Sequence, residues 1–209
     1  MREVTQTEVE GFLPEECYEG LVFDGLDLRR LDLTGSRIEE CVFVDCNLGD
    51  SKLNGGKLTN CRFENVGLQG TDLFGVAITG CKFMAANFTQ GTRLVVTSFS
   101  HVNLDYAVFR GVNLSGIEFA DCSLREADLS LADLSEANLV NCDLDGVDWT
   151  GAITRDTDVR GSQLRGLDLR TGPKGFIVTT NQLVGLAEDI GVRVMDIVEY
   201  NVHETRTKY

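Results

Sequence analysis

The sequence predicts an all-β fold, a solenoid of short parallel strands wound on four sides. Three observations predict it: a large apolar residue at nearly every fifth position, a small residue two places before most of these, and aromatic and cysteine choices that recur every twenty residues. Apolar residues recur at about 3.6 in an amphipathic helix and about 2 in a half-buried strand, so neither element explains a period of five. A fixed period sustained along a chain defines the architecture before any single element does.

Residues 1–22 come first, and Leu13 and Tyr18 lie in phase with the repeat downstream, so this stretch is expected to form a partial capping coil. From Phe23, every fifth residue to Phe88 is large and apolar, Leu28, Leu33, Ile38 and Phe43 among them. The phase slips by one residue within "FTQGTRL", and the beat resumes at Leu94 and runs to Trp149. Thr154 interrupts it, and Val159, Leu164 and Leu169 complete it. Two places before these residues stand Cys41, Cys61, Thr71, Ala127, Ala132 and similar small side chains, while most charged residues occupy the other three places. That division suits a narrow solenoid, in which each short side is buried only against the coils above and below it.

The number of sides follows from the longer period. Between Phe23 and Phe83 the aromatic choice falls only at Phe23, Phe43, Phe63 and Phe83, and the cysteines Cys41, Cys61 and Cys81, then Cys122 and Cys142 after the slip, keep the same spacing of twenty. Twenty residues at five per side make four sides. With coils stacked at roughly 4.8 Å, the units from Phe23 to Leu169 give about seven and a half coils and a rod of roughly 36 Å.

After Leu169 the period stops at "TGPKG", which sets a repeat domain over 23–170 and a terminal segment over 171–209. Within that segment, "TTNQLVGLAEDIGVRVMDI" predicts a helix capped by Thr180 or Asn181, with Leu183, Leu186, Ala187 and Ile190 on one face and Gly191 as its stop. A strand over Val192 to Ile197 is expected next. So short a helix is marginal alone, and it needs an apolar platform. The tail "EYNVHETRTKY" receives no role.

Composition narrows the function classes. The chain has 209 residues and a formal net charge of −14. No apolar run approaches the ~18 residues of a membrane span, and the opening residues lack the basic end and apolar stretch of a signal peptide, so a cytoplasmic protein with no membrane partner is expected. Six of the seven cysteines occupy the small inward position, which explains their spacing without metal or disulfides. His101 and His203 are isolated, and no nucleophile elbow, phosphate loop or dinucleotide fingerprint occurs. No enzymatic activity, catalytic residue, metal or cofactor is expected.

Charge is unevenly placed. From Glu118 to Asp148 stand Glu118, Asp121, Glu126, Asp128, Asp133, Glu136, Asp143, Asp145 and Asp148 against Arg125 alone. Wound on the coil, Asp128, Asp148 and Asp168 fall in one outward column, while Asp105, Arg125, Asp145 and Arg165 alternate in a neighbouring one. The alternating column reads as a ladder of surface ion pairs, each worth little. The all-acidic column is expected to point to solvent and to be dispensable for the fold, its repulsion either tolerated through salt screening or exploited by a basic partner.

The segments "ADLSLADLSEANL" and "CVFVDCNLGDSKL" resemble the pentapeptide repeat family, whose members fold as right-handed quadrilateral β-helices. The solenoid followed by a short helix and "GVRVM" is similar to the C-terminus of the Qnr quinolone-resistance proteins, the mycobacterial fluoroquinolone-resistance protein and immunity proteins against gyrase poisons. That resemblance implies a C2 homodimer through Phe176, Ile177, Leu183, Leu186, Ile190, Val192 and Val194. It also implies an acidic rod that imitates duplex DNA, binds DNA gyrase or topoisomerase IV rather than nucleic acid, and either inhibits the enzyme or protects it from quinolones and other poisons. The implied binding surface comprises Glu118, Asp121, Glu126, Asp128, Asp133, Glu136, Asp143, Asp148 and Asp168. Many Qnr proteins interrupt the repeat with two projecting loops, whereas this chain has only the one-residue slip and is more similar to the loop-free mycobacterial type. The alternative is a pentapeptide scaffold that binds a different basic protein.

Overall fold

The computed structural model describes residues 1–89, 91–167, 172–189, 191, 192 and 194. It is a four-sided β-helix of about nine turns with a short helix at its C-terminal end. All strand pairs are parallel, and their register is the predicted twenty: Phe23 pairs with Phe43, Phe43 with Phe63, and Ile38 with Leu58. Across the slip the offset becomes twenty-one, with Ile78 opposite Phe99 and Asn87 opposite Val108, and it returns to twenty at Phe99 and Phe119. Among the described residues no pairing joins Gly67 to Asn87, so on that side the ladder lapses at the slip and resumes between Asn87 and Val108. The turn count exceeds seven and a half because residues at both ends add to the coil: Arg2–Glu3 pairs with Leu21–Val22, and Phe176–Ile177 pairs with Thr157–Asp158.

The core follows the period. The large residues from Phe23 to Leu164 are buried, Thr154 included, and Leu169 lies outside the described residues. Identical rings stack from turn to turn, with centroids 4.5 Å apart for Phe23 and Phe43, 4.7 Å for Phe43 and Phe63, and 4.2 Å for Phe63 and Phe83. Most buried small residues that carry a hydroxyl or thiol donate it to a carbonyl one turn back, Ser51 and Cys81 excepted. Thr71 reaches Leu48 at 2.9 Å, Thr157 reaches Leu134 at 2.7 Å, and Cys61 reaches Ile38 at 3.3 Å. A buried polar group with such a partner escapes the penalty of an unmade hydrogen bond. Cysteine, serine and threonine can therefore share one inward column.

Each side turns into the next through a residue of left-handed backbone two places after the large one. Glycine and asparagine are the cheap choices there, and Asn60 at φ 53° and Gly75 at φ 66° illustrate both. Val96 at 60°, Tyr106 at 61° and Leu131 at 61° hold the same conformation with large side chains. Such backbone costs an ordinary residue about 1–2 kcal/mol.

The ends are closed differently from expectation. At the N-terminus a short helix, α1 (Gln6–Val9), buries Val4 and Val9. Leu13 is exposed rather than inward, because the chain leaves α1 with Phe12 facing the core, 4.5 Å from Tyr18 and 5.6 Å from Phe23. Tyr18 is half-buried and fixes the loop through its hydroxyl, which donates to Leu13 O at 2.8 Å and accepts from Leu13 N at 2.7 Å. At the C-terminus, α2 (Thr180–Asp189) begins at a cap one residue earlier than predicted. Thr179 Oγ1 accepts from Gln182 N at 3.2 Å while Gln182 Oε1 accepts from Thr179 N at 2.9 Å, a reciprocal capping box. Gly191, at φ 81°, ends the helix as predicted: its N–H bonds Glu188 O and that of Val192 bonds Ala187 O, both at 2.9 Å. Of the strand expected over Val192 to Ile197, only Val192 and Val194 are described, and the rest lies outside the described residues.

Candidate partner-binding surface

The acidic band is built from two kinds of position. Glu118, Asp128, Asp133, Asp143 and Asp148 each precede a large inward residue and sit on a side of the coil, whereas Asp121, Glu126 and Glu136 occupy left-handed corners. Asp168 lies outside the described residues. The side aspartates do not simply point away from the fold. Asp128 Oδ1 accepts from Ser130 N at 2.9 Å, Asp133 from Ser135 N at 3.0 Å, Asp143 from Asp145 N at 3.2 Å and Asp148 from Thr150 N at 2.9 Å. Asn103 and Asn113 brace their corners in the same way. The expectation that these acids are dispensable for the fold is corrected: one oxygen of each holds a turn.

The second oxygen is what remains for a partner. Among the described residues, Oδ2 of Asp128 and of Asp148 makes no hydrogen bond, while Asp143 Oδ2 faces Arg125 at 3.0 Å. The hydroxyl and backbone N–H of Thr150 hold Asp148 below the usual carboxylate range, and those of Ser135 do so for Asp133. Both stay ionised at neutral pH. Donors that stabilise the charged form lower a carboxyl pKa in this way.

Register decides which acids meet. Asp128 lies directly opposite Asp148, so their carboxylates stack one strand spacing apart, roughly 4.8 Å. Asp133 lies between Asn113 and Ile153, Asp143 between Ser123 and Gln163, and Glu118 between Ser98 and Asn138. The band therefore wraps all four sides and has one in-register acidic pair among its described members. In the alternating column, Asp105 Oδ1 accepts from Arg125 N at 3.1 Å and Asp145 Oδ1 from Arg165 N at 3.0 Å. Arg165 Nε also approaches Asp145 at 3.6 Å, but the Arg125 guanidinium turns to Asp143 instead of Asp145.

The predicted interface residues divide. Phe176 packs edge-on against Trp149 at 5.1 Å, and Leu186 is buried, so both cover the last coil of their own chain. Ile177, Leu183, Val192 and Val194 are exposed, and Ile190 lies outside the described residues. The sequence reading missed Gln182, whose amide donates to Val159 O at 2.7 Å and Ser162 O at 2.8 Å and so closes backbone at the open end of the coil. The capping pattern Thr179-x-x-Gln182 was the available signal, as Asp-x-Ser and Asp-x-Thr were for the braced corners.

His101 is an exposed corner residue, and among the described residues no group of three His, Cys, Asp or Glu side chains could hold a metal ion. No helix of the described residues is long and apolar enough to cross a membrane.

The sequence model of the pentapeptide repeat region matches residues 71–149, and that of eight-copy pentapeptide repeats matches 27–65 and 41–80. Among solved structures, two trypsin-treated, singly substituted forms of QnrB1, a plasmid-mediated fluoroquinolone resistance protein, superpose on it. One gives a TM-score of 0.68 at 24% identity, covering 93% of this chain and 95% of that one. The other gives 0.64 at 22% identity over 93% and 97%. Full-length QnrB1 gives 0.54 at 24% identity over 84% and 100%. At such identities the likeness is one of fold. No curated protein sequence matches the chain significantly. The five-residue period, the four-sided coil it builds and the matched repeat models together make this chain a member of the pentapeptide repeat family.

Proposed function

We propose that this protein is a DNA mimic that acts by binding, not catalysis, and that its target is a type II topoisomerase, DNA gyrase or topoisomerase IV, in the cytoplasm. The observation that carries the proposal is the acidic band from Glu118 to Asp148, with the Asp128 and Asp148 carboxylates in register on one side of a rigid rod and one oxygen of each left open. The likeness of fold to a fluoroquinolone resistance protein supports the same reading.

The magnitudes agree. About nine turns at roughly 4.8 Å make a rod of roughly 43 Å. Two such rods end to end, each with net charge −14, carry about one charge per 3 Å of axis against one per ≈ 1.7 Å in duplex DNA. The mimic is weaker than DNA but of the same order. In this reading residues 1–22 cap the rod, 23–170 form it, and 171–209 join two copies about a two-fold axis through the exposed Ile177, Leu183, Val192 and Val194. Sedimentation at micromolar concentration tests the dimer.

A supercoiling assay with purified gyrase, with and without a fluoroquinolone, tests the function. Added protein should reduce supercoiling or restore it against the drug, which separates inhibition from protection. No effect in either arm would reject the proposal.

A further inference from the structure

The side of the coil that carries Asp128 and Asp148 is flanked by two large apolar side chains that the fold does not explain. Tyr106 stands at the corner where this side begins, Leu131 at the corner where it ends one turn later, and they are 57% and 55% exposed. Val108, in register with Asp128, lies half-buried between them. Leu131 leans over Gly151, where a Cβ would come within 2.8 Å of its Cδ2, so a glycine leaves it room to lie along the edge.

From this arrangement we infer that Tyr106 and Leu131 are the apolar anchors of the partner interface. The occupant is a basic protein surface that lays cationic side chains along Asp128 and Asp148 and apolar ones against the two edges. Charge complementarity selects that occupant. The side presents two aspartates in register, Glu126 stands at its leading corner, and its cation, Arg110, donates to Ser130 at 2.9 Å and lies near enough to Asp148 to favour its charged form without a hydrogen bond to it. Interfaces concentrate their binding energy in a few residues, tyrosine prominent among them, with Leu131 supplying apolar cover beside Tyr106, while surrounding charges set steering and specificity. The inference rests on the proposed DNA mimicry and adds to it, since phosphate imitation alone requires no apolar edge.

The test uses the full-length protein with purified DNA gyrase as the probe, and compares the native chain, Tyr106→Asn with Leu131→Asn, and Asp128→Asn with Asp148→Asn. Asparagine tolerates left-handed backbone, so the corner variant should keep its circular dichroism and its midpoint of thermal unfolding should stay level or rise. Its affinity for gyrase should fall at least tenfold with the salt dependence unchanged, whereas the aspartate variant should bind with a shallower salt dependence. Native-like affinity in a folded corner variant would overturn the anchors and leave the mimicry standing. Failure of the native chain to bind gyrase at any salt concentration would overturn both.

Discussion

Replacing Phe43 by alanine removes a ring that lies nearly parallel to Phe23 on one side, at 4.5 Å, and to Phe63 on the other, at 4.7 Å. Phe43 is 2% exposed, and parallel pairs on both flanks pin its backbone, so the walls cannot close on the space it leaves. Such a truncation costs about 3–5 kcal/mol. The two ring contacts, each worth about 0.5–1.5 kcal/mol beyond buried area, place this site toward the upper end. Phe43→Leu is the control, because the same inward column holds Leu104, Leu124 and Leu144 on the far side of the slip. It loses both ring contacts but fills most of the space, so it should cost about 1–3 kcal/mol, clearly less than the alanine variant. Urea unfolding followed by circular dichroism measures both. Each turn touches only its neighbours, so the alanine variant should also unfold less cooperatively, with its N-terminal turns melting first. Equal midpoints for the two variants would refute the stacked-column account.

Three further outcomes rest on individual residues. Ser51 Oγ is the one buried side-chain oxygen or nitrogen among the described residues without a hydrogen-bond partner; Ser51→Ala should be neutral or stabilising by up to about 1 kcal/mol in urea, and a clear loss would reveal a partner for the hydroxyl. Val96 combines left-handed backbone with 72% exposure, so Val96→Asn should raise the thermal midpoint by relieving about 1 kcal/mol of strain. Donors hold Asp133, Asp148 and Asp158 below the usual carboxylate range in the folded chain: Ser135, Thr150 and the Arg160 guanidinium respectively. The unfolded chain takes up these protons first, near pH ~3.9, so their contribution is present above that pH and is lost as pH falls toward the folded values. The thermal midpoint should be level from pH 7 to 5 and fall below about pH 4, with a smaller acid loss in Asp148→Asn.

The core was legible because it repeats. One misplaced inward residue would put a charge inside every turn it joined, so the positions of Phe43, Cys61 and Leu129 follow from counting. The ends were not legible by counting, because a cap obeys local geometry: α1 turns the chain so that Phe12 replaces Leu13, and the Thr179–Gln182 box moves the start of α2. The surface was half legible. Spacing placed Asp128 opposite Asp148, but it treated the three outward places as equivalent, whereas one braces a corner and another bears left-handed backbone. That difference turns Tyr106 and Leu131 from ordinary surface residues into strained ones.

An acidic rod that occupies the place of DNA must compete with it for the enzyme. Labelled linear duplex DNA is bound to purified gyrase and the native protein is titrated in at fixed ionic strength. The protein should displace the DNA, and no complex should contain all three. A stable ternary complex of protein, DNA and gyrase would contradict the mimicry.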